Sequence, residues 1–135
     1  MDDVAIDEYA EQLVHTMAIE LTHPHERECV ICYVLRMLDE FGCDTTLRFA
    51  RDYRDLRAPR ATALEARLGS MGGFCDCEIF LNGMRRARHL RTYDEYGDEV
   101  DGKPLPPCAG VRRGSTQGCA HWVRRRRGPY GEDGY

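Results

Sequence analysis

"CVICYVLRMLDEFGC", residues 29–43, decides how this chain is built. Val30, Ile31, Val34, Leu35, Leu38 and Phe41 recur at intervals that put apolar side chains on one face of an α-helix. That helix is predicted over residues 25–41, "HERECVICYVLRMLDEF", with Gly42 as its stop. At about 100° per residue, Cys29, Cys32 and Arg36 point away from the apolar face, and the two thiols lie within about 60° of each other. Free cysteine ordinarily packs as a small buried hydrophobe. Two cysteines off the apolar stripe therefore face another segment as packing, as a redox pair, or through a metal ion. The redox spacing C-x-x-C normally follows a strand in a βαβ unit, and no such pattern precedes it here.

Outward from this segment the chain reads as helical. "DDVAIDEYAEQLVHTMAIEL" is an amphipathic helix with Ile6, Tyr9, Leu13 and Met17 on one side, ended at or before Pro24. "DTTLRFARDYRDL" is a third helix, with Asp44 or Thr45 as N-cap and Leu47, Phe49, Ala50, Tyr53 and Leu56 as apolar positions. Arg48, Arg51 and Arg54 line another of its sides. After Pro59, "RATALEARLGSM" is a short fourth helix with Leu64 and Leu68 inward, stopped by Gly69 and Gly72-Gly73. "CEIFLN" suits a short strand or an extended pass over the core. Beyond Asn82 the sequence reads as loops, with a short helix through "MRRARHL". No internal repeat is visible.

The expected architecture is mainly α: a small, zinc-stabilised domain of about four helices, a short strand or extended segment, and a long irregular C-terminal region. Residues 1–92 form the helical metal-binding domain. Residues 93–123 are an irregular segment carrying Cys and His ligands, and residues 124–135 a disordered tail. The acidic, proline-ended stretch "TYDEYGDEVDGKPLPP" and the terminal "RRRRGPYGEDGY" have little to bury.

Charge is distributed unevenly. Residues 1–45 carry eleven acids against two arginines, residues 46–92 ten arginines against five acids, and the remainder seven of each. An acidic first third can pair with the arginine-rich middle. Residues 1–22 lack a basic leader region, and no apolar run reaches membrane-spanning length. A cytoplasmic location without a membrane partner is expected. In that compartment seven cysteines point to metal or catalysis rather than to a disulfide framework.

The candidate ligands are Cys29, Cys32, Cys43, Cys75, Cys77, Cys108, Cys119 and His121, in C-x2-C, C-x-C and C-x-H spacings. Thiolates and imidazoles are the preferred donors of tetrahedral zinc, and eight of them suffice for one or two ions. Cys75 and Cys77 follow a glycine pair that lets the backbone turn tightly. Cys43 sits at a corner between two helices. Cys108, Cys119 and His121 lie in a glycine-rich polar loop that a metal would order. His15, His23, His25 and His89 read as surface or capping residues.

"FGCDTTLR" at 41–48 and "GGFCDCEIFLN" at 72–82 resemble the bacterial family known as domain of unknown function 2695, DUF2695, with extensions of an actinobacterial kind on both sides. The resemblance implies metal ligands at Cys43, Cys75 and Cys77 and no known reaction. Where many members have histidine, this chain has Thr45, a poor zinc donor. A fourth ligand is then expected from elsewhere, with Cys32 or Cys29 preferred because their helix leads into Cys43. Asp76 and Glu78 read as groups that support the metal site through hydrogen bonds.

The leading function is a small zinc-binding protein with a structural metal and a protein or nucleic acid partner. A thiol-based redox or metal sensor is the alternative. A metal-dependent enzyme is disfavoured, because H-x-E with P-C-x-x-C, H-E-x-x-H, G-x-S-x-G and a phosphate loop are all absent. Trp122 with Arg124, Arg125, Arg126 and Arg127 is the candidate nucleic-acid contact, an aromatic beside a basic run.

Overall fold

The second predicted helix is the axis of the molecule, which we describe from a computed structural model covering residues 3–126, with side chains from residue 7. Helices α1 (Asp3–Thr22), α2 (Val30–Phe41), α3 (Arg48–Arg57) and α4 (Leu64–Ser70) follow one another, then a short α5 (Asp76–Glu78). The side chain of Ile6 and everything from Arg127 onward lie outside the described residues.

α2 begins five residues later than expected. Arg27 takes a left-handed conformation (φ 62°), and Cys29 is extended, so the chain at 25–29 turns instead of coiling. Cys29 is itself the N-cap: its Sγ accepts the Cys32 amide at 3.3 Å. Gly42 closes the other end in the left-handed region (φ 74°), donating to Leu38 O. Val30, Ile31, Tyr33, Val34 and Met37 are buried, and so is Cys32. The expected apolar face is displaced: Leu35 and Leu38 are half-buried and Phe41 is 48% exposed. The displacement has a cause. The C-terminal loop packs Leu105, Cys108 and Val111 against the core on the side that carries Cys29 and Cys32.

α3 begins at Arg48, not after Asp44 or Thr45. Asp44 Oδ1 accepts the Thr46 amide at 2.9 Å and Thr45 is left-handed (φ 71°), so residues 43–46 form a turn. The capping role passes to a residue 26 and 27 positions away: the Asp76 carboxylate accepts from Phe49 N at 2.8 Å and Ala50 N at 3.2 Å. Phe49, Ala50 and Tyr53 are buried against α2, with Tyr33–Tyr53 and Phe41–Phe49 ring contacts, whereas Leu56 is exposed. α4 buries Leu64 and Leu68 as expected. Gly73 donates to Leu68 O, and a Cβ there would stand 3.2 Å from that oxygen, so this close approach favours glycine.

The "CEIFLN" segment is helical, not extended. α5 runs into a π-helical turn, Ile79–Gly83, closed by Asn82 Nδ2 donating to Gly72 O. Ile79 is fully buried and Phe80 meets Trp122 edge-on. The strand lies further on. β1 (Met84–Arg86) pairs antiparallel with β4 (Trp122–Arg124), with Arg85 opposite Val123. A 3-10 turn, Arg88–Leu90, is what remains of the helix expected through 84–90. β2 (Thr92–Tyr93) and β3 (Glu99–Val100) form a separate hairpin. The boundary expected after residue 123 therefore falls inside β4.

α1 forms as predicted but packs differently. Tyr9, Leu13 and Met17 are exposed, and so are Val14 and Leu21. Among the described residues, its C-terminal end is the part that is fastened. Tyr33 Oη donates to Thr22 O, and the Arg36 guanidinium donates to Leu21 O and His23 O. Arg36 also forms a forked ion pair with the buried Glu28, at 3.1 and 2.9 Å.

Candidate metal centres

The seven thiols are free and fall into two groups. Cys29, Cys32, Cys108 and Cys119 have their sulfur atoms within 4.8 Å of one another. The expectation that Cys29 or Cys32 completes a site with Cys43 is thereby corrected: both face the C-terminal loop. Cys29 comes from the cap of α2 and Cys32 from its first turn. Cys108 comes from a turn ended by Gly110 in the left-handed region (φ 90°), and Cys119 from the approach to β4. The loop between them is pinned at three further points. Val111 N donates to Arg27 O at 2.9 Å, Arg67 donates to Thr116 Oγ1 at 3.0 Å, and Arg67 also donates to Thr116 O.

This group fits a tetrahedral ion. Bonds of about 2.3 Å to four sulfurs set the edge of the tetrahedron at about 3.8 Å. Cys32 Sγ and Cys119 Sγ are 3.8 Å apart. N–H groups point at the sulfurs, as anionic ligands require. Cys29 N donates to Cys108 Sγ at 3.2 Å, Cys32 N to Cys29 Sγ at 3.3 Å and Gly110 N to Cys108 Sγ at 3.3 Å. Trp122 Nε1 donates to Cys32 Sγ at 3.3 Å. Cys29, Cys32 and Cys119 are buried, and Cys108 is half-exposed on a groove of about 720 Å³ that Leu105 and Arg36 also line. The hydrogen bond from Cys32 brings the Cys29 thiol down to about 5, while the same bond and burial push Cys32 far up. Holding all four of these sulfurs as thiolates would take a cation to share their charge.

Cys43, Cys75 and Cys77 form the second group, again within 4.8 Å. Its assembly follows from one residue between the cysteines. Asp76 is fully buried, caps α3 through its carboxylate, and donates its own amide to Thr46 O at 3.0 Å. The two contacts clamp the 75–77 segment onto the turn that carries Cys43. Thr45 N donates to Cys43 Sγ at 3.4 Å, and the sulfurs of Cys75 and Cys77 are 3.3 Å apart. Burial pushes the Cys75 thiol up to about 12. Although burial opposes it, the amides of Cys77 and Thr45 hold the Cys43 thiol below the ordinary range. Cys43 is exposed, Cys75 buried and Cys77 half-buried.

The other candidate residues are placed as follows. His121 is in neither group; a ring nitrogen lies 2.8 Å from Pro107 O. Asp76 bonds to backbone amides rather than to a sulfur. Burial, opposed by those amides, raises its carboxyl. Glu78 is half-buried, with its side chain beside Cys75, and Thr45 contributes its amide rather than its hydroxyl. Trp122 is buried with its ring against Phe80, out of reach of a stacking base. Arg124 ends β4. Arg125 turns inward, its guanidinium on Phe80 O at 2.8 Å, and Arg126 is exposed. Arg127 lies outside the described residues. The sequence reading gave no sign that Asp76 caps α3, because the helix it serves lies more than twenty residues upstream.

Among the described residues no helix is long and apolar enough to cross a membrane. No curated protein and no solved structure matches the chain. The model of one family, described as protein of unknown function (DUF2695), matches residues 30–82. The match takes in α2, α3, α4 and the whole of the three-thiol group, and stops short of Cys108 and Cys119. By this match and by the paired motifs around Cys43 and Cys75–Cys77, residues 30–82 belong to the DUF2695 family.

Proposed function

We propose that this chain is a small cytoplasmic zinc-binding protein with two thiolate centres and no catalytic role. The four-thiol centre is structural: its donor set is complete and largely buried, and it ties the C-terminal loop to α2. The observation that carries this reading is the 3.8 Å edge between Cys32 and Cys119 within a four-sulfur group bonded by backbone and indole N–H groups. The three-thiol centre is the family's own. A complete thiolate shell leaves no position for a substrate, which sets the four-thiol centre apart from catalytic zinc.

The output we assign is docking of a protein partner through the arginine-bearing side of α3, where Arg48 is exposed and Arg51 half-buried. The end of the chain once read as a nucleic-acid contact has its tryptophan buried and Arg125 turned inward. A second reading, a thiol-based sensor, draws support from the exposure of Cys43 and the 3.3 Å approach of Cys75 to Cys77. Native mass spectrometry of protein purified without added metal tests the main reading. Two bound zinc ions are expected. A metal-free mass, with all seven thiols freely titratable, would overturn it.

A further inference from the structure

The two groups differ by one donor. Zinc in a thiolate site takes four ligands, and the surface group offers three. The nearby alternatives on the chain are occupied. Cys29, Cys32, Cys108 and Cys119 hold one another. Asp76 has both carboxylate oxygens on the amides of α3. Asp44 Oδ1 accepts from the Thr46 amide and hydroxyl, and Asp44 stands outside the three-sulfur group. The Glu78 carboxyl lies beside Cys75 but outside the 4.8 Å radius that the three sulfurs share.

We propose, on the two-centre reading above, that zinc at Cys43–Cys75–Cys77 keeps its fourth position open to an exogenous thiolate. Three features of the site select that ligand. The first is access, since Cys43 is exposed and the cluster lies at the surface. The second is apolar surface close by in sequence: Phe41, Phe74 and Leu81 each lie within four residues of a ligand and are exposed, with the Phe41 ring on Phe49 and the Phe74 ring over Gly69. Exposed apolar surface beside a site suits a donor with an organic body better than it suits water. The third is charge and softness. Three sulfur donors make zinc prefer a fourth soft ligand over a hard oxygen. Arg48 and Arg51 lie in the first turn of α3. Their α-helix follows directly on the turn that carries Cys43.

The test uses the full-length protein loaded with cobalt(II), whose sulfur-to-metal charge-transfer bands count thiolates and whose visible bands report geometry. The protein is titrated with 2-mercaptoethanol and, separately, with a short blocked peptide carrying cysteine between leucine and phenylalanine. The expected result is two bound cobalt ions and a saturable rise in charge-transfer intensity equivalent to one more sulfur. C75S should bind one cobalt and give no response. Tighter binding of the peptide, by tenfold or more, would make a protein cysteine the natural source. Equal binding would make it a low-molecular-weight thiol. Two cobalt ions with a spectrum indifferent to both thiols would overturn the open position while leaving the two centres standing, and a spectrum altered by E78Q alone would then assign the fourth donor to Glu78. Binding of no cobalt, or of one, would sink the two-centre reading itself.

Discussion

The four-thiol and three-thiol groups are built from the same atom type and differ in what surrounds it. Cys32 and Cys119 are 87 residues apart, and Cys43 and Cys75 are 32 apart by their numbers. Loop length alone does not separate them, because closing the longer loop differs by only about 0.9 kcal/mol. Burial and supporting bonds do. The larger group sits under the C-terminal loop with four N–H groups on its sulfurs, and the smaller group sits at the surface with Cys43 exposed. A ligand set becomes structural when it is complete and covered, and exchangeable when it is neither. On the proposed reading the molecule carries one of each.

The contrast can be broken most sharply at Cys119. On the proposed reading, replacing it by serine removes the metal that would fasten residues 105–121 to α2. We expect a loss of about 3–5 kcal/mol, read as a large drop in melting temperature. The same substitution at Cys75 should cost about 1–2 kcal/mol, as for an ordinary buried cysteine at the edge of the core, because the packing of α2, α3 and α4 would not depend on that metal. Equal losses for the two variants would contradict the distinction.

Asp76 offers the next largest effect. D76A leaves the Phe49 and Ala50 amides of α3 without partners inside the protein, at about 2–3 kcal/mol, while D76N keeps an acceptor and should lose less than half of that. The comparison is sharpened by occupancy. In D76A the three-thiol centre should weaken in cobalt titrations while the four-thiol spectrum stays unchanged. If D76A leaves both centres and the melting curve untouched, the clamp assigned to Asp76 does not exist.

The smallest effect is expected at Trp122. W122F keeps the aromatic contact with Phe80 and removes one N–H bond to Cys32, about 1 kcal/mol. The cobalt bands of the four-thiol centre should shift, and those of the other centre should not. A change confined to the three-thiol bands would show that the indole serves something else.

Much of this was legible in the residues. The helix from Val30 to Phe41, the inward Leu64 and Leu68, and the glycine stops at 42 and 72–73 were read correctly because local pattern determines them, whereas Phe41 was expected inward and is exposed, and Gly69 was expected as a stop and lies inside α4. The thiols were legible as candidate ligands, and they do gather into two groups. Their grouping was not, since spacing along a chain says nothing of which loop folds over which helix. Cys29 and Cys32 looked nearer to Cys43 because α2 leads there, but a helix carries its two ends apart by about 1.5 Å per residue. The run Ile79-Phe80-Leu81 reads as a strand by composition. It coils because Asp76 anchors it to α3 and Phe80 must reach Trp122, both contacts of long range. The start of α3 was misplaced for the same reason: its cap lies in another segment.

The account turns on two metal centres that are independent and unlike. Cadmium-113 NMR of the cadmium-substituted full-length protein tests this directly. Two resonances are predicted, one strongly deshielded by four sulfurs and one less so, and C75S should remove only the second. A single resonance, or the loss of both in C75S, would contradict it.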